Sequence, residues 1–226
     1  VFLSIFIFSN LTSDNLPLTQ RYFHHEDQSH SYTRGTYMII LSDAENLEPV
    51  LTESNTGNFV EFKKTQGYNV VIKDFNVIGG TATLLRLYIQ YYTEEIDSLL
   101  EYILLVGDVD GSYAIPSFHI ASYNENENDV TDYPYTFFDD DNVTNPKLFI
   151  GRWSIRNLVD LYKIKMRSIQ YVRMDAISDY SYLSRGLLVA GNYNGEPDFP
   201  NSWPVTPVWT SLWLQDEWYN YGYSEV

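Results

Sequence analysis

The sequence predicts an α/β protein: a mostly parallel sheet flanked by helices. Three observations predict it. Short apolar runs recur, at Tyr37-Met-Ile-Ile-Leu41, Tyr68-Asn-Val-Val-Ile72 and Tyr102-Ile-Leu-Leu-Val106. The first and third, which lack alternation, read as strands buried on both faces, because a strand with one wet face alternates apolar and polar residues. Stretches with helical spacing lie between them, and strand–helix–strand order with short links makes the strands parallel neighbours. The runs also close in turn chemistry, Ser42-Asp43 after the first and Gly107-Asp108 after the third.

The elements follow in order. Ser42-Asp43 ends the first strand, and residues 56–66 read as a helix with Phe59, Val60 and Phe62 inward. Gly67 is its left-handed stop and Tyr68 opens the second strand. Gly79-Gly80 breaks the chain, Thr81 caps the next helix, and Leu84, Leu87, Tyr88 and Tyr91 form its apolar stripe at i, i+3, i+4, i+7. A short helix over residues 94–100 leads into the third strand. Pro116 and the polar run 124–132 mark a long excursion, after which Tyr133 to Phe138 reads as a strand and Leu148-Phe-Ile150 as another. With Ser154 as a possible cap, the clearest helix follows, its period carried by Leu158, Leu161, Tyr162, Ile169 and Val172.

Gly186-Leu-Leu-Val-Ala190 repeats the buried-strand signature, residues 209–221 read as a helix, and Gly222-Tyr223 repeats Gly67-Tyr68. The expected organisation is a lead-in segment at 1–35, a first α/β subdomain at 36–180, and the beginning of a second at 181–226. The second unit stops at its second strand, so a truncated piece of a longer protein is expected.

Composition removes several function classes. Thirty acids against fourteen bases give a formal charge of −16, which argues against nucleic acid or an anionic membrane as partner. That charge fits calcium binding, secretion or a plain acidic surface. There is no cysteine, so disulfides, thiolate metal sites and a cysteine nucleophile are excluded within these residues. Residues 1–8, Val-Phe-Leu-Ser-Ile-Phe-Ile-Phe, read either as the tail of a signal-peptide apolar region or as a core strand. Nothing else approaches the ~18 apolar residues of a membrane span. His24, His25 and His30 fall in a polar stretch that reads as a solvated loop.

The strongest chemical constellation is acidic. Asp108 and Asp110 follow the third strand, and Asp139, Asp140, Asp141, Asn142 and Asn145 crowd a later loop. Hard cations such as Ca²⁺ take six to eight oxygen ligands of these kinds, and strand carboxyl ends in open α/β sheets are where ligands collect. The alternative is a solvated acidic loop in which Asp108 caps turn amides. Asp108-Val-Asp-Gly-Ser112 imitates an EF-hand start, but its twelfth position is His119. There is neither a Gly-x-Ser-x-Gly elbow nor a P-loop.

Taken in order, these motifs resemble the gingipain-like cysteine peptidases (family C25). The residues that carry the resemblance are Tyr37 to Leu41, Phe62-Lys-Lys-Thr-Gln-Gly-Tyr-Asn-Val-Val71, Tyr102 to Asp108 with Ile115-Pro116, Thr131-Asp-Tyr-Pro-Tyr135, the acidic loop, Phe149-Ile-Gly-Arg152, Val189-Ala-Gly-Asn192 and Gly222-Tyr223. The resemblance implies a caspase-like fold and a secreted or surface-exposed cysteine endopeptidase acting on protein or peptide substrates. It places the histidine and cysteine of the dyad beyond Val226. The position of the family's acidic helper falls at Tyr193, with Glu196 three residues on as the candidate acid. It also implies a calcium site at Asp108 with Asp139, Asp140, Asp141 and Asn145, although Lys147 stands near an expected acid. The other readings are a non-catalytic relative serving as a scaffold or in secretion, and a calcium-dependent binding module.

Overall fold

Strand β1 (Thr36–Leu41) carries Met38, Ile39, Ile40 and Leu41 in succession, and all four are fully buried. Side chains alternate across a strand, so Ile39 and Leu41 pack into one apolar layer and Met38 and Ile40 into the other. The expectation of a strand covered on both faces therefore holds for β1. The chain is described by a computed structural model over residues 34–121, 128–139, 144–174, 180–190 and 206–226. It divides into two units, Val1–Val172 and Arg173–Val226, and each is taken by itself.

In the first unit β1 pairs in parallel with β2 (Asn69–Asp74) on one side and β3 (Leu100–Val106) on the other. β6 (Phe149–Trp153) pairs in parallel with β3, giving the order β2-β1-β3-β6. Ile39 sits opposite both Ile72 and Leu104, and Leu104 opposite Gly151. A separate antiparallel ribbon joins β4 (Phe118–Ala121) to β5 (Asn128–Thr131). A mixed α/β architecture with a parallel sheet flanked by helices is what the sequence predicts.

One layer is covered by α1 (Ala44–Thr52), α2 (Phe59–Thr65) and α5 (Leu158–Arg173), through Leu47, Leu51, Phe59, Phe62, Leu161 and Ile169. The other is covered by α3 (Phe75–Ile78), α4 (Ala82–Tyr91) and a 3₁₀ turn at Tyr133–Tyr135, through Phe75, Leu85, Ile89 and Tyr135. Local chemistry sets the helix ends. Asp43, Asn58, Asp74 and Thr81 each accept a backbone N–H of the first turn. Gly67, at φ +92°, ends α2 while the N–H of Tyr68 returns to the Lys63 carbonyl.

Several expectations need correction. Helix α1 has no counterpart in the sequence reading, and it contains Pro49, a residue that argues against a helix interior. The inward stripe of α4 is Leu85 and Ile89, continued by Tyr92, whereas Leu84, Leu87 and Tyr91 are exposed. Both sets obey helical spacing, since apolar residues cover more than half the circumference and the period leaves the phase open. No separate helix spans residues 94–100: α4 runs on into a π-helical turn at Tyr92–Ile96, and β3 begins at Leu100. The stretch from Tyr133 to Phe138 is no strand, because Pro134 has no N–H to give a ladder and the chain coils into the 3₁₀ turn. In α5 the cap is Asn157, whose Oδ1 accepts the Asp160 N–H, and Val172 is exposed.

The core face of α5 also holds a lysine. Lys165 is fully buried between Leu161 and Ile169, one helical turn from each. Its Nζ donates to the Val50 carbonyl at 2.7 Å and to Thr56 Oγ1 at 2.7 Å, closing the carboxyl end of α1 and the loop after it. Burial pushes its ammonium below the ordinary lysine range.

In the second unit α6 (Thr206–Asn220) ends as α2 does: Gly222 has φ +96° and the Tyr223 N–H returns to the Trp218 carbonyl. Residues 186–190 form no strand. The parallel bridge Arg185–Glu225 lies just before them, the Gly186 N–H donates to the Glu225 carbonyl, and Leu187 and Val189 stand more than four-fifths exposed. Gly186 lies against the Trp218 ring, where a Cβ would come within 2.3 Å of Cζ3.

Two substitutions test this account. Lys165→Ala leaves the Val50 carbonyl without its donor and opens a cavity, so it should cost about 2–4 kcal/mol in urea denaturation; a loss under about 0.5 kcal/mol would refute the capping role. Met174, at φ +56°, holds a left-handed conformation at the end of α5. Met174→Gly should therefore raise stability by about 0.5–1 kcal/mol, and a destabilised variant would contradict the strain.

Candidate functional site

β3 leaves the sheet through Gly107, and the approach there is too close for a side chain. A Cβ on Gly107 would lie 2.5 Å from the Tyr113 carbonyl oxygen and 3.1 Å from Ser42 Cβ. The loop folds back at once: the Asp108 N–H donates to the Tyr113 carbonyl at 2.9 Å and the Ile115 N–H to the Asp108 carbonyl at 2.7 Å. Asp108 itself sits at the carboxyl edge of the sheet. Its Oδ1 accepts the Val109 N–H at 2.8 Å, and its Oδ2 lies 3.6 Å from Arg156 Nε. Arg156 is 86% exposed, so this ion pair is screened and weak.

The strongest polar structure at this edge centres on Arg152, the last residue but one of β6. Its guanidinium holds Asp132 in a two-pronged pair, Nε to Oδ2 at 2.8 Å and Nη2 to Oδ1 at 2.7 Å. Nη1 reaches the carbonyls of Gly107 at 3.0 Å, Asp108 at 3.3 Å and Ile115 at 2.8 Å, and Nη2 also reaches Ser117 Oγ at 3.0 Å. The Ser117 hydroxyl donates to Asp132, and Tyr135 donates its hydroxyl to the Pro116 carbonyl. One side chain thereby ties the β3 exit, the start of the β4–β5 ribbon and the turn after β5 to β6. The planar fork of arginine suits this task, and a lysine could not make the same set.

Burial pushes the Asp132 carboxyl up, but hydrogen bonds from Arg152 and Ser117, with the Arg152 charge behind them, hold it below the ordinary aspartate range. The Tyr135 hydroxyl is pushed up by burial first and by the Asp132 charge second.

The expected cation ligands are only partly assembled. Asp108 is in place at the strand end, but one of its oxygens serves its own loop and the other faces Arg156. Asp139 begins the acidic loop, while Asp140 and Asp141 lie outside the described residues. Asn145 fits a cation better, since its Oδ1 is buried with no hydrogen-bond partner. Among the described residues no three carboxylate or imidazole groups gather around one point. Tyr193 and Glu196 lie outside the described residues. At the opposite, amino end of the strands a cavity of about 430 Å³ is lined by Arg34, Thr36, Lys64, Tyr68, Asn69 and Asp97, without a nucleophile–base pair.

Asp132 and Arg152 stand within the sequence motifs, but no local pattern there assigns them a role. A signal was available: an arginine closing a strand predicted to be buried needs an acid beside it.

The family model for peptidase family C25 matches residues 30–222. The chain belongs to that family. Among solved structures it is similar to the Arg-specific cysteine proteinase gingipain R (RgpB), at 22% identity and a TM-score of 0.60, covering 85% of this chain and 40% of that one. A complex of the pro- and mature domains of Porphyromonas gingivalis RgpB aligns at 21% identity and a TM-score of 0.54, covering 84% and 41%. The fold is thus the caspase-like α/β fold of the gingipains, and the chain spans about two fifths of the solved chains it matches. No curated protein matches it.

The Arg152–Asp132 pair makes an acid-range prediction. A carboxylate whose folded pKa is depressed stabilises the fold above its unfolded value of about 3.9, and that stability is lost as pH falls through the folded value. Urea denaturation at pH 6 and pH 3 should show a smaller acid loss for Asp132→Asn than for the unaltered chain. Equal losses would refute the linkage. Arg152→Ala strands a half-buried carboxylate and takes the donor from the Gly107 and Ile115 carbonyls, and should cost about 2–4 kcal/mol at neutral pH.

Proposed function

We propose that this chain is the N-terminal part of the catalytic domain of a secreted gingipain-like cysteine endopeptidase, and that the histidine and cysteine of its dyad lie outside these 226 residues. The observation that carries this reading is the C25 match along nearly the whole chain, together with a parallel sheet of the matching fold. The absence of cysteine is consistent with it, because a thiolate nucleophile has to come from elsewhere in the protein. Protein or peptide substrates follow from the family. Glu196 is the candidate acid to orient the histidine.

An oxygen-seeking cation, calcium by its ligand types, is proposed at the Asp108 edge and the acidic loop, with Asp139, Asp140, Asp141 and Asn145 as ligands. The buried Oδ1 of Asn145 without a hydrogen-bond partner supports it, since such an atom is costly unless something donates or coordinates to it. Its role would be to order the loop and neutralise local acid charge.

The peptidase reading is tested on the complete gene product. It should hydrolyse peptides and lose that activity on thiol alkylation. Turnover that survives alkylation would overturn the mechanism, and a folded, inactive product would point to a non-catalytic relative. The 226-residue chain alone should show no turnover. For the cation, melting in millimolar calcium against excess chelator should show a higher Tm with calcium, and identical curves would remove the site.

A further inference from the structure

No further inference is drawn: the strongest candidate, the exposed apolar stripe that Leu84, Leu87 and Tyr91 form along α4, carries nothing because nothing in the structure shows what covers it.

Discussion

A strand whose successive central residues are all apolar has no face to offer water, and that constraint governs the first unit. β1 and β3 run parallel at the centre of the sheet, and their side chains fill two separate apolar layers. Parallel neighbours need crossover connections, and the crossover helices are the elements that bury the two layers. The carboxyl ends of β1, β2 and β3 therefore open into loops on one edge. Ser42, Asp43, Asp74 and Asp108 stand there, where each chain segment turns toward its next element. The location of the candidate site follows from the burial of the strands.

Loops that crowd such an edge bring backbone carbonyls that lose water without gaining a ladder partner. Buried groups of that kind have to be hydrogen-bonded somewhere. Arg152 answers the requirement for Gly107 and Ile115, adds a second donor to the Asp108 carbonyl that already accepts the Ile115 N–H, and has its charge balanced by Asp132. A half-buried ion pair is weak evidence for net stability, because desolvation offsets much of the attraction. What it supplies here is geometry. The pair fixes the β3 exit and the base of the β4–β5 ribbon with respect to β6, and loss of either partner leaves the other charge half-buried and unpaired. By the same reasoning Asp108 is mainly a loop organiser in the described structure, with a carboxylate oxygen on its own turn and both backbone groups engaged.

The sequence was most legible where one physical signal decided the outcome. Uninterrupted apolar runs gave β1 and β3, the short run Val70-Val-Ile72 after a glycine stop gave β2, and glycine–tyrosine pairs gave the ends of α2 and α6. It was least legible where two signals competed or where the deciding partner was distant in sequence. Pro49 spoke against α1, yet Leu47, Val50 and Leu51 have a buried layer to enter and the tertiary gain prevails. On α4, two apolar stripes were equally helical, and only the layer contributed by β1 and β3 selects Leu85 and Ile89. Lys165 reads as a solvent residue until Val50 and Thr56, more than a hundred positions earlier, supply acceptors for its ammonium.

Residues 186–190 and Gly222-Tyr223 separate local from non-local information. The glycine stop after α6 reproduces that after α2 down to the return hydrogen bond, because it depends on a left-handed residue and carbonyls of the same helix. A buried strand depends instead on neighbours. Gly186-Leu-Leu-Val-Ala190 has the composition of β1, but among the described residues its backbone meets the rest of its unit only around Gly186 and the Arg185–Glu225 bridge, leaving Leu187 and Val189 exposed. Apolar composition at these positions records the environment in which the segment would be stable, and a ladder forms only where a neighbouring strand offers its edge.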